Sequence, residues 1–177
     1  LFIGFKTGNE GKTMGLAPYG TDRYFKEFMD SIRFTEESLF IDSDFQFNKW
    51  NGPKKEFYGG RFGKARRAGE PLRQVDKDVA KAVQYALEEA MIRIAQKAYE
   101  KTGSKNLCLA GGVALNSVAN KKILDRTPFE NIFIQPASGD DGCALGNSLV
   151  GWSQILGENK VKQNKKAYRG YAYSDKE

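Results

Sequence analysis

The chain has 177 residues, with 28 Lys and Arg against 22 Asp and Glu for a net charge of +6, 40% hydrophobic residues and no histidine. That length fits one domain with at most an attached subdomain, and it can hold a core without disulfides or structural metal. The missing imidazoles exclude a histidine general base, Ser-His-Asp and Cys-His nucleophile systems and an HExxH zinc helix, so a metal held by these residues alone needs oxygen ligands.

Residues 1–73 form the first region, rich in glycine, aromatics and charge, and its pattern reads as irregular. It opens on the apolar run Leu1-Phe2-Ile3-Gly4-Phe5, which reads as the cut end of a buried element and hence as a fragment of a longer polypeptide. Asp22 to Ile32 predicts a short helix with Tyr24, Phe25, Phe28 and Ile32 on one face, and Ser38 to Phe47 alternates like a strand or hairpin. Between Lys49 and Arg73 lies the densest basic stretch, interleaved with Trp50, Phe57, Tyr58 and Phe62. It has no recognition-helix or RNP pattern, so nucleic acid is not the expected partner; a solvated insertion, or a surface for an anionic substrate or for another part of the protein, are the readings left open.

Residues 74–157 are strongly patterned. Val79, Val83, Ala86, Leu87, Ala90 and Ile94 fall at helical spacing behind the acidic Asp76 and Asp78, with Gly103 as a stop. A buried strand is predicted over 106–110, a sharp turn at Gly111-Gly112, a helix from Val113 to about Arg126, and a second strand over 131–135. A last helix follows, carrying Leu145, Leu149, Trp152 and Leu156. Strand, helix and strand at this spacing make a βαβ unit with parallel strands, so the fold class is α/β.

Residues 158–177, basic and without apolar period until Tyr168, Tyr171 and Tyr173, read as a linker toward an absent C-terminal domain. Cys108 in an apolar run and Cys143 in a helical pattern are expected to be buried reduced thiols. No signal-peptide pattern and no apolar run of about 18 to 20 residues occurs, so the expectation is a cytoplasmic protein with no membrane partner.

Three motifs bear on chemistry. Gly11-Lys12-Thr13 is not a P-loop, because position 6 is Lys where that motif needs glycine and Pro18 breaks any helix within a turn or two. Gly11 still lets backbone N–H groups approach an anion with Lys12 as a point charge, the alternative being a surface turn with a solvated lysine. Gly111 and Gly112 sit at the carboxyl end of a strand, where open α/β sheets bind ligands, and Asn116 lies one helical turn beyond, placed for a ribose hydroxyl or adenine edge. Close strand–helix packing is the alternative use of that glycine pair. Asp140 and Asp141 hold the equivalent place after the next strand; one is expected to cap the helix and the other to face a crevice where a hard cation sits, unless both only offset the helix dipole.

The segments EGKTMGLAPYG (Glu10 to Gly20), DKDVAKAVQYALEEA (Asp76 to Ala90), NLCLAGGVALNSVANKKIL (Asn106 to Leu124) and NIFIQPASGDDGCALGNSL (Asn131 to Leu149), in this order and spacing, resemble the large domain of the NodU/CmcH carbamoyltransferases. The resemblance covers nearly the whole chain. It implies a ribonuclease-H-like half of the acetate and sugar kinase/heat-shock/actin superfamily fold. It further implies use of ATP and carbamoyl phosphate, a carbamoyl-adenylate, and transfer of the carbamoyl group to a hydroxyl or amine of a small-molecule acceptor. Related sites hold a divalent metal, often iron, with two histidines from the first half and an aspartate that Asp141 matches. Asn116 matches the adenosine-contacting asparagine, Gly111 and Gly112 the adenosine loop, and Gly4 a nucleotide-contact glycine. The absent histidines imply that the first half is missing. The expectation is therefore a chain inactive alone, binding ATP weakly or not at all and prone to self-association through an exposed half-cleft. A non-catalytic nucleotide-binding or structural module of the same superfamily is the competing reading.

Overall fold

The computed structural model describes residues 2–6, 8–35, 38–41 and 55–158, the side chains of residues 55–57 excepted. Its contacts divide the chain into two compact units. One consists of the described residues of Leu1–Gly103 with Val118–Pro128; the other consists of Ser104–Ser117 with the described residues from Phe129 onward.

The first unit is built on one long helix. In chain order it contains α1 (Glu10–Leu16), a 3₁₀ turn (Ala17–Tyr19), α2 (Phe25–Asp30), the hairpin strands β1 (Ile32–Phe34) and β2 (Leu39–Ile41), α3 (Lys55–Phe62) and α4 (Gln74–Thr102). Asp76, fully buried in the first turn of α4, accepts hydrogen bonds from the Arg73 backbone N–H (2.9 Å) and from Arg73 Nε and Nη2 (2.9 and 2.7 Å), satisfying an N-terminal donor that the helix cannot pair itself. Burial pushes the Asp76 carboxyl up, but Arg73's side-chain and backbone hydrogen bonds outweigh that and hold it below the usual carboxylate range. At the other end Gly103 takes the left-handed conformation (φ 62°), and its N–H closes on the Tyr99 carbonyl.

The expected phase of α4 needs correction. Val79, Ala86 and Ala90 are buried as predicted, yet Val83 and Ile94 are exposed, while Ala80, Ala82 and Ile92 are buried instead. The helix also comes close to the segment before α2: a Cβ built on Gly20 would lie 2.2 Å from the Lys77 carbonyl oxygen. Asp22 to Ile32 yields the shorter α2, with Tyr24 and Phe28 buried. The expected hairpin forms with Ile32 opposite Ile41 and Phe34 opposite Leu39; the rest of that stretch, residues 42–47, lies outside the described residues.

The basic stretch contributes core, which its composition concealed. Phe62 packs against Phe2 (ring centroids 5.8 Å), Tyr24 (4.9 Å) and Phe28 (5.8 Å), and Tyr58 stacks on Phe2. Arg66 is buried, donating from Nε to the Ile3 carbonyl (2.8 Å) and from Nη1 to the Glu70 carbonyl, with its backbone N–H on Phe2. Lys49, Trp50 and Lys54 lie outside the described residues. From α5 (Ser117–Arg126), Lys122 pairs with the buried Glu88 and Arg126 with Glu89, both on α4.

The second unit holds β3 (Asn106–Leu109), β4 (Asn131–Ile134) and α6 (Cys143–Val150), the last continuing into a π-helical turn, Gly151–Ile155. β3 and β4 pair in parallel, Asn106 opposite Asn131 through Leu109 opposite Ile134, as the βαβ spacing predicts. The expected burial of this strand is overturned. Leu107 and Leu109 are only half-buried, and Cys108 and Phe133 face the solvent side because the described residues add no third strand or cover there. Cys108 and Cys143 are free and exposed rather than buried. Leu149, Trp152 and Leu156, carried by the predicted last helix and the turn that follows it, are exposed as well. Tyr168, Tyr171 and Tyr173 lie outside the described residues. Among the described residues no helix is long and apolar enough to cross a membrane.

Candidate functional site

Parallel pairing brings the carboxyl ends of β3 and β4 to one edge of the second unit. β3 leads through Ala110 into Gly111, whose φ of 97° is a conformation that favours glycine, and then into a 3₁₀ turn, Gly112–Leu115. That turn is closed by Ala114 N–H on the Gly111 carbonyl (3.0 Å) and Asn116 N–H on the Val113 carbonyl (2.9 Å). Asn116 ends it half-buried, and α5 starts at the next residue, so the helix begins later than the predicted Val113.

β4 leads through Gln135 and Pro136 into the turn that carries the two aspartates. Ser138, buried, donates from Oγ to the Gln135 carbonyl (2.7 Å), and the Ala137 N–H is taken by the Gln135 side chain. Gly142 has no room for a side chain, since a Cβ there would meet the Ala137 carbonyl oxygen at 2.0 Å. Asp140 and Asp141 occupy a 3₁₀ turn before α6, both exposed. The expected division of labour between them does not form: Gly139 stands at the N-cap position and neither carboxylate makes a capping hydrogen bond.

The two turns are joined. Gly111 donates its N–H to the Ser138 carbonyl at 2.8 Å, so the glycine loop and the aspartate loop form one surface at the strand ends. Gly111 and Gly112 open outward, with no atom within 4 Å of where a Cβ would stand on either. Backbone here is therefore free of side chains on the exposed side, the arrangement that lets a flat ligand approach a main chain closely.

Gly111, Gly112, Asn116 and Asp141 are thus gathered in the second unit, whereas Gly4, Gly11 and Lys12 belong to the first. Gly4 has φ 76° and backs onto Arg66, whose carbonyl oxygen would be 2.9 Å from a Cβ. Gly11 and Lys12 are exposed on the short α1. Just upstream, Gly8 N–H donates to Glu10 Oε1 at 3.0 Å; backbone hydrogen bonds from Glu10 and Gly8 hold that carboxyl below its usual range. Asp141 is the single carboxylate the resemblance assigns to a metal, and a hard divalent cation takes about six or more ligands. No group of three or more Cys, Asp or Glu able to hold a metal occurs among the described residues, so these residues by themselves do not fit a metal ion.

Reading from the sequence missed a second polar cluster. Asp78 on α4, 2% exposed, accepts at Oδ1 from the Thr21 N–H (2.7 Å), Thr21 Oγ1 (3.1 Å) and Gln74 Nε2 (2.8 Å). Burial raises its pKa, and these hydrogen bonds, Thr21's backbone bond foremost, outweigh that and lower it. The only signal available was a second acid two residues beyond Asp76, close to a helix start, which the dipole alone explains.

A family model described as Carbamoyltransferase N-terminus matches residues 1–149. The chain is similar to the uncharacterized protein sll1178 of Synechocystis sp., at 40% identity over 179 residues covering 96% of this chain and 28% of that protein. It is also similar to the nodulation protein NolNO of Sinorhizobium fredii (35% over 166 residues, 92% of this chain and 23% of that protein). The nodulation protein NolO of Bradyrhizobium diazoefficiens matches at 37% over 158 residues, 87% of this chain and 27% of that protein. The chain spans about a quarter of the length of these relatives. With the four sequence motifs and the family match over residues 1–149 in agreement, the chain belongs to the carbamoyltransferase family, in that family's N-terminal region.

Proposed function

We propose that this chain forms the adenosine side of an ATP-dependent carbamoyltransferase that moves a carbamoyl group from carbamoyl phosphate, through a carbamoyl-adenylate, to a hydroxyl or amine of a small molecule. The observation that carries the reading is the pair of turns tied by the Gly111–Ser138 hydrogen bond, with the Gly111 and Gly112 backbone open above it. In this reading the adenosine lies along Gly111 and Gly112, Asn116 presents its amide to the sugar or base, and Gly4, Gly11 and Lys12 are taken as further nucleotide contacts. The parallel pair and its helices are taken as one ribonuclease-H-like half of the actin superfamily fold. Asp141 would supply one carboxylate to a divalent metal whose remaining ligands come from outside the described residues. The catalytic groups are assigned to none of the described residues.

The test is ATP titration of the full-length polypeptide by calorimetry. Gly112 carries an ordinary φ and has open space around it, so Gly112→Val leaves the turn standing and puts its methyls where the ligand would lie. Affinity falls sharply in Gly112→Val and by about 1 to 3 kcal/mol in Asn116→Ala, the cost of leaving a polar partner unmatched. Unchanged affinity in both variants refutes the assignment.

A further inference from the structure

The segment Glu10–Gly20 is held to α4 by directed polar contacts rather than by packing alone. Asp78 Oδ1 takes both donors of Thr21, and Gln74 Nε2 reaches Asp78 (2.8 Å) and the Tyr19 carbonyl (3.4 Å). Lys81 Nζ donates to the Gly20 carbonyl at 3.1 Å. Three consecutive residues, 19 to 21, are thereby fixed by three side chains spaced along α4, with Gly20 too close to the Lys77 carbonyl to admit a side chain.

Upstream of this clamp the backbone is helical without a break from Glu10 to Tyr19, with the Ala17 N–H on the Thr13 carbonyl joining the α-helix to the 3₁₀ turn. A shift at Thr21 is therefore carried to Lys12, whose side chain lies exposed on the same rigid run. A carboxylate that is 2% exposed is costly to bury, and an apolar residue of the same volume would hold a purely structural loop as well. What the carboxylate adds is register: only one placement of Thr21 satisfies both of its donors at a single oxygen.

We propose that Asp78, with Gln74, is a positioning residue that sets where Lys12 stands on the first unit by fixing the Glu10–Gly20 segment against α4. This rests on the reading of Gly11 and Lys12 as nucleotide contacts.

The experiment combines a double-mutant cycle on ATP affinity with hydrogen exchange, both on the full-length polypeptide. Asp78→Ala and Lys12→Ala each weaken ATP binding about tenfold, and the double variant is no weaker than either alone, because once the segment is free Lys12 is already misplaced. Asp78→Asn, whose amide oxygen still accepts from Thr21, recovers most of the affinity. The Thr21 amide exchanges faster in Asp78→Ala, while amides at Ala80 and Ala82 keep their protection. If Asp78→Ala does not fold, Gln74→Ala, on an exposed side chain, carries the same cycle.

Additive losses overturn the proposal, as does unchanged Thr21 exchange, or wild-type ATP affinity in the Asp78 or Gln74 variant. Failure of the wild-type polypeptide itself to bind ATP overturns the nucleotide reading and this proposal together. That outcome is told apart from a failed clamp by the wild-type titration alone.

Discussion

Replacing Gly20 by alanine tests the close approach of the Glu10–Gly20 segment to α4. Gly20 has φ −91° and ψ 172°, extended backbone that any residue adopts, so the substitution carries no conformational penalty and on chain entropy alone would stabilise by about 0.4 to 1 kcal/mol. The added methyl, however, would stand 2.2 Å from the Lys77 carbonyl oxygen, 2.6 Å from its carbon and 2.9 Å from Lys81 Cβ. Ordinary contact begins near 3.4 Å, so the segment must retreat from a rigid helix backbone by about an ångström. That retreat stretches the Thr21–Asp78 (2.7 Å) and Lys81–Gly20 (3.1 Å) hydrogen bonds past useful length, each worth about 1.5 kcal/mol or more because one partner is charged. Overpacking adds about 1 to 3 kcal/mol. With the entropy gain set against these losses, the net cost is about 3 to 6 kcal/mol, a large share of a typical domain's stability. Gly15 is the internal control: it lies in α1 with nothing within 4 Å of a Cβ, so Gly15→Ala should stabilise by about 0.5 to 1 kcal/mol. Urea unfolding, read from midpoints at constant slope, measures both. Gly20→Ala within 0.5 kcal/mol of wild type, or a Gly15→Ala loss as large as that of Gly20→Ala, refutes the close approach.

Phe62→Ala removes the ring shared by Phe2, Tyr24 and Phe28 and should cost about 3 to 5 kcal/mol in the same unfolding assay; a loss below 1 kcal/mol would show that the basic stretch is outside the core. Stability should also fall on acidification. The folded pKa of Asp76 lies below its unfolded value of about 3.9, so its contribution is complete above that value and is lost as the pH drops through the folded one. Melting temperatures from pH 7 to pH 3 should decline less steeply in Asp76→Asn than in wild type; equal slopes would refute that role.

The elements most legible in the sequence are those whose ends are set locally. The start of α4 at Asp76 and its stop at Gly103 depend on groups within four residues, so reading the sequence found both. The buried face of α4 was not legible, because periodicity gives a stripe while its phase is chosen by whatever packs on it. Here Ala80 and Ala82 are taken into the cluster of Phe2, Ile3, Leu16, Tyr24, Phe28 and Phe62, and Ile92 shares a cavity wall with Phe34 of β1, which leaves Val83 and Ile94 exposed. Charge concealed the core contribution of 55–73 in the same way: Phe62 and Arg66 sit among exposed basic residues and are singled out only by partners some sixty positions away, such as Phe2 and Ile3.

The candidate site shows the same division. That a glycine pair follows one strand and an aspartate pair the next was legible, since each is a local pattern. That Gly111 would donate to Ser138 was not, because it follows from the register Asn106–Asn131 through Leu109–Ile134, and a slip of one residue would separate the two turns. The Glu10–Gly20 motif makes the point for function. Leu16 and Ala17 are buried and Gly20 is pressed against Lys77, so part of the motif is fixed by packing. Gly11, Lys12 and Tyr19 are exposed, and packing gives no reason for their identities. A motif recognised whole therefore divides, once its contacts are known, into residues that hold the segment and residues that packing leaves unexplained. In the proposed function it is from the second set, with Gly11 and Lys12 in it, that the nucleotide contacts come.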